Sequence, residues 1–115
     1  VSALCLLALS GALLWRSEAP AITLRWIHSV EKTVWEEVWQ PAAGHLVLLE
    51  ARIEGSGAGM EPPPEARRLG RFFVWAPMQR FDRVDLAQSG AAGTWTICDP
   101  QGCFAPLEAF AMVPC

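Results

Sequence analysis

The stretch ITLRWIHSVEKTVWEEVWQPAAGHLVLLEARIE, residues 22–54, carries most of the structural information in this chain. From Ile22 to Val30 the residues alternate, placing Ile22, Leu24, Trp26, His28 and Val30 on one face of an extended strand. Val34–Gln40 and His45–Glu54 continue with β-branched and aromatic residues, and no 3.6-residue apolar stripe persists through either. Further on, Phe72–Trp75, Phe81–Leu86, Gly93–Cys98 and Cys103–Leu107 follow at short spacing, separated by turns containing Gly and Pro. Strands in succession without intervening helices predict an all-β fold, a small antiparallel β-sandwich or barrel.

Working outward, the amino terminus reads differently. Residues 1–15, VSALCLLALSGALLW, carry no charge and end at Arg16. That run has the length of a signal-peptide apolar region and is short for a membrane span. It predicts a hydrophobic signal or anchor helix over 1–15, ahead of a single β domain over 20–115. The expected address is periplasmic or the outer face of the cytoplasmic membrane. Of 115 residues, 52% are hydrophobic and 18% charged, which excludes a disordered chain. A net charge of −3, with eight Arg and one Lys scattered along the sequence, leaves no nucleic-acid footprint.

Cysteine spacing agrees with an oxidising compartment. Thr94-Trp-Thr-Ile-Cys98-Asp-Pro-Gln-Gly-Cys103-Phe reads as strand, turn, strand, with Asp99-Pro100-Gln101-Gly102 suited to a type I turn. A hairpin closed there sets Cys98 opposite Cys103, within reach of a disulfide. There is no Cys-x-x-Cys with a second ligand pair, so a metal site is not expected. Cys115 is left over at the chain end.

If Lys32-Thr33 is the turn between the first two strands, Val30 faces Trp35, His28 faces Glu37 and Trp26 faces Trp39, all on one face. Lys-Thr is not a favoured two-residue turn, so a longer loop with a shifted register is the alternative. On the first register three indoles flank one polar pair. That suits a docking surface with aromatic anchors around orienting polar groups; the competing reading is core packing around a satisfied pair. Six Trp and no Tyr exceed what so small a core easily hides, so at least one Trp at an interface is expected.

His28, Glu31, Glu36, Glu37 and His45 form the densest set of ionisable groups. His-Glu-x-x-His is absent, and His28 and Glu31 point to opposite faces of a strand, so a structural His is favoured over a metal ligand. Ser29 beside His28 makes no nucleophile–base pair, because strand neighbours diverge. Gly55-Ser-Gly-Ala-Gly59-Met60 lacks the Lys-Ser/Thr of a phosphate loop, and Pro62-Pro63-Pro64 blocks the helix such a loop needs. Residues 55–70 therefore read as a long Gly/Pro-rich loop, either a connector or a loop whose backbone amides bind a carboxylate.

The blocks His28-Ser29-Val30-Glu31, Trp35-Glu36-Glu37 and Gly57-Ala58-Gly59-Met60, with the Trp95–Cys98 segment, resemble the bacterial family named domain of unknown function 1850. The resemblance spans most of residues 22–104. It implies a short exported protein with an accessory role at the cytoplasmic membrane, beside TRAP transporters of the TAXI type. It implies no reaction and no cofactor. The expected function is thus a non-enzymatic accessory domain whose partner is a transporter subunit for small organic anions. Its docking candidates are Trp26, His28, Ser29, Glu31, Trp35, Glu36, Glu37, Trp39, Gly57, Gly59 and Met60. Two alternatives stand beside it. One is a carboxylate-binding module using the glycine loop with Arg67, Arg68 or Arg71; the other is a metal-dependent hydrolase using His28 with Glu36 or Glu37.

Overall fold

The computed structural model describes residues 2–28, 32–55, 61–88 and 93–115. Twelve strands run through them: β1 (Leu4–Ala8), β2 (Leu13–Ser17), β3 (Ile22–His28), β4 (Val34–Ala42), β5 (His45–Glu54), β6 (Arg67–Leu69), β7 (Phe72–Trp75), β8 (Gln79–Phe81), β9 (Val84–Leu86), β10 (Gly93–Asp99), β11 (Gly102–Phe104) and β12 (Phe110–Pro114). All pairings are antiparallel, and no helix occurs among the described residues, so the all-β expectation holds. A large sheet runs β11-β10-β3-β4-β5-β7-β6, with β8 also on β5. A small sheet runs β2-β1-β12-β9.

The core lies between the two sheets. Leu4, Leu6, Phe110 and Met112 of the small sheet meet Ile22, Leu24, Trp39, Leu46, Leu48 and Ile97 of the large one. Alternation explains the large sheet's share: Ile22 and Leu24 point inward, and Thr23 and Arg25 outward.

The expected amino-terminal helix is corrected to a β-hairpin. Ser10-Gly11 cuts the apolar run into halves of about five residues, too short for stable helix and suited to strands. Gly11 turns the chain at φ 91°, and its N–H donates to the Ala8 carbonyl at 2.9 Å. β1 then lies between β2 and β12, with Leu4 and Leu6 fully buried. Cys5 pairs with Val113 in register and is bridged to Cys115, across 110 residues of sequence. The cysteine left over at the chain end thus has its partner in the first strand. No helix among the described residues is long and apolar enough to cross a membrane.

Around β4 the hairpins follow local chemistry. Ala43-Gly44 joins β4 to β5, with Gly44 at φ 77°, a conformation a side chain would strain. A bulge at Leu49 lets β5 bend, so that its first half pairs with β8 and its second half with β7. The predicted Cys98–Cys103 disulfide closes the β10–β11 hairpin, with Cα atoms 4.0 Å apart. Asp99 Oδ1 accepts from the N–H groups of Gln101 and Gly102 and so shapes that turn. Part of the stretch expected to be an unstructured loop over 55–70 is strand: Arg67–Leu69 pairs with β7.

Candidate functional site

The β3–β4 register differs from the two-residue-turn expectation. Ile27 pairs with Val34, Trp26 with Trp35, Leu24 with Glu37 and Ile22 with Trp39. The connection spans residues 28–33, longer than Lys32-Thr33, of which Lys32 adopts a positive φ of 57°. The shift is four residues. An even slip preserves which side chains share a face, so the grouping of Trp26, Trp35, Glu37 and Trp39 survives while every pairing changes. His28 pairs with Gly93 instead of Glu37. It stands four positions along β3 from the residue opposite Glu37, about 13 Å at strand rise. The expected His28–Glu37 pair is therefore corrected.

Trp35, Glu37 and Trp39 alternate along β4 and project from one face, as period two requires. Glu37 lies between its two tryptophans and takes one indole N–H on each oxygen: Trp35 Nε1 donates to Oε2 and Trp39 Nε1 to Oε1, both at 3.0 Å. Its row across the sheet is Ile97, Leu24, Glu37, Ala51, Trp75. Leu24 and Ile97 belong to the core, so this carboxyl sits at the border of dry protein. Burial raises its pKa above the usual carboxylate value, and the two indole hydrogen bonds oppose that shift without cancelling it. Among the described residues no Lys or Arg lies within ion-pair distance of it.

The tryptophans divide. Trp39 is 2% exposed and packs edge-on against Phe81 at 5.3 Å, which makes it core and corrects its docking assignment. Trp26, Trp35, Trp75 and Trp95 are half-buried on the same face; Trp95 packs against the core cluster, and the other three lie outside it. Trp35 meets Trp75 edge to face at 5.7 Å, and Trp26 lies 6.0 Å from Trp95. Ala51, opposite Glu37, contributes only a methyl group there. The result is a carboxylate flanked by indoles at the open end of the inner face.

Gln88 holds one wall. Its side-chain Oε1 accepts from Trp95 N–H at 2.8 Å, and its Nε2 donates to the carbonyls of Trp95 and Pro106. A side-chain amide thus replaces a strand partner where β10 runs past the end of β11. Nothing in local patterning signals that role. Trp75 and Trp95 were legible as strand residues but not as members of this face.

The other candidates separate. Glu36 points to the opposite face, 3.6 Å from both Arg25 and Arg52, and has no part in the indole cluster. His45 Nδ1 lies 3.1 Å from the Ala43 carbonyl, at the β4–β5 turn. Arg68 donates to the Gly70 carbonyl and lies over the Phe73 ring at 5.7 Å; Arg71 pairs with Glu54 at 2.8 Å. Ser29, Glu31, Gly57, Gly59 and Met60, and the side chain of His28, lie outside the described residues. No group of three potential metal ligands occurs among the described residues.

A family model described as Domain of unknown function (DUF1850) matches residues 22–105, well over half of the chain. No curated protein and no solved structure matches it.

Proposed function

The chain belongs to the DUF1850 family, and on that premise we propose that it is a non-enzymatic, exported accessory domain whose tryptophan-lined face docks a membrane protein. One observation carries the reading. Four tryptophans stay half-exposed beside a closed core, around a carboxylate that makes no ion pair among the described residues. Half-buried aromatic anchors around a few polar groups are the composition of a protein-binding hot spot. Family resemblance supplies the partner class, a TRAP-type transporter of the TAXI kind that moves small organic anions. Two disulfides accord with an oxidising compartment, and the outer side of the cytoplasmic membrane is such a place.

The carboxylate-binding alternative receives less support. Of the three arginines it would use beside the glycine loop, Arg68 and Arg71 already have partners, and Gly57 and Gly59 lie outside the described residues. The hydrolase alternative required His28 to meet Glu37, which the register separates, or Glu36, which faces the other way.

Membrane co-purification of Trp35→Ala is the test. A folded, disulfide-bonded domain that no longer travels with its transporter is the expected result. Retained association by a folded Trp35→Ala protein would end the docking reading.

A further inference from the structure

We propose that the Glu37 niche seats the guanidinium of an arginine side chain presented by the docking partner. The inference rests on the docking reading and specifies its chemistry.

Three features argue for a guanidinium. Glu37 is an acidic group at the edge of dry protein, with no Lys or Arg in ion-pair reach among the described residues. A cation arriving there meets a charge the fold has left without a counter-charge. Second, each Glu37 oxygen accepts one indole N–H, which leaves each oxygen a lone pair. Two such acceptors side by side match the planar fork of arginine, whereas an ammonium would engage them as a point charge. Third, indoles attract cations through their faces, and a weakly hydrated guanidinium also stacks on them. Trp35 donates to the carboxyl and meets Trp75, which lies in the row of Glu37 beyond Ala51, and Trp26 and Trp95 continue the row of Trp35 across β3 and β10. Ala51 leaves the approach short of bulk.

The oppositely directed Glu36 gives an internal control. It has the same charge on the same strand and already faces Arg25 and Arg52. Glu36→Gln and Glu37→Gln change the net charge equally, so an attraction set by overall acidity would fall alike in both. A built niche would not.

The full chain, both disulfides intact, is titrated with N-acetyl-arginine methylamide, N-acetyl-lysine methylamide and tetramethylammonium chloride. Sodium chloride at equal ionic strength is the reference, and the indole N–H resonances of Trp35 and Trp39 are followed by NMR. The arginine derivative is expected to shift them saturably and to bind more tightly than either other cation. Glu37→Gln should weaken that binding about tenfold or more, and Glu36→Gln should leave it unchanged. Should Glu37→Gln lose its native spectrum, Trp75→Leu, which donates to neither oxygen, carries the same comparison. Preference for tetramethylammonium or lysine, equal weakening by Glu36→Gln, or shifts no larger than those with sodium would overturn the assignment. Trp35-dependent co-purification with no arginine binding would remove the guanidinium and leave the docking reading standing.

Discussion

The Ser17 hydroxyl donates to Asp99 Oδ2 at 2.5 Å and so ties the small sheet to the β10–β11 hairpin of the large one, across 82 residues of sequence. Ser17 is buried, and its oxygen also accepts the Ala19 N–H at 3.2 Å. Together with Cys5–Cys115, this bond fastens the first hairpin to the rest of the molecule.

Ser17 chiefly, and then the Gln101 and Gly102 amides, hold the Asp99 carboxyl below its ordinary pKa of 3.8. A depressed folded pKa means that the contribution is complete above the unfolded value and is lost as pH falls through the folded one. Asp99→Asn should therefore lower stability at neutral pH, and the gap to wild type should close below pH 3.8. Urea midpoints across that range check it; a gap independent of pH would contradict the linkage.

Glu37 has the opposite sign. Burial raises its folded pKa above 4.5, so the desolvation cost is present at neutral pH. That cost is relieved as pH falls through the raised value toward 4.5. Wild type should gain stability relative to Glu37→Gln over that interval, as measured by the same midpoints. Glu37→Ala should lose about 1–3 kcal/mol at neutral pH, because the buried Trp39 N–H is left without an acceptor, and the gap should widen as pH falls toward 4.5.

The two disulfides should differ in worth. Chain-entropy theory assigns about 4–5 kcal/mol to a bridge closing a loop as long as that of Cys5–Cys115, and about 2 kcal/mol to the short Cys98–Cys103 loop. Denaturation of Cys5→Ala/Cys115→Ala and Cys98→Ala/Cys103→Ala should rank them in that order.

Leu6→Ala should cost about 2–5 kcal/mol, because Leu6 is fully buried between the sheets. Trp39→Ala should cost about 3–5 kcal/mol for the same reason. The half-buried Trp35→Ala should cost less, about 1–2 kcal/mol, and remain folded. Thermal unfolding of the three variants side by side distinguishes core from face.

Removing Gln88 by substitution with Ala should unfasten the edge of β10 at Trp95 with only a modest loss of global stability, about 1–2 kcal/mol. Hydrogen exchange should show faster exchange of the Trp95 amide, while the amides of β4 and β5 stay protected. Unchanged exchange at Trp95 would mean that Gln88 does not hold this wall.

Period-two alternation in Ile22–His28, the β-branched and aromatic runs after it, and the Asp99–Gly102 turn with its flanking cysteines were enough to establish an antiparallel all-β chain and one disulfide. These are short-range features. Strand alternation is set by backbone geometry at each residue, and a tight turn is set by a few neighbours. Face membership along β4 was legible for the same reason: Trp35, Glu37 and Trp39 share a side in any register. Long-range packing decided the rest. The β3–β4 register differs by four residues from the one a Lys32-Thr33 turn would set, and local turn chemistry does not choose between registers of equal parity. The first hairpin's strands depended on the place that β12 offers beside β1, and its disulfide needed a partner 110 residues away. Whether each tryptophan was core or surface depended on where the small sheet ends above the large one. It covers Trp39 and stops short of Trp35, and one strand's alternation holds no information about that boundary.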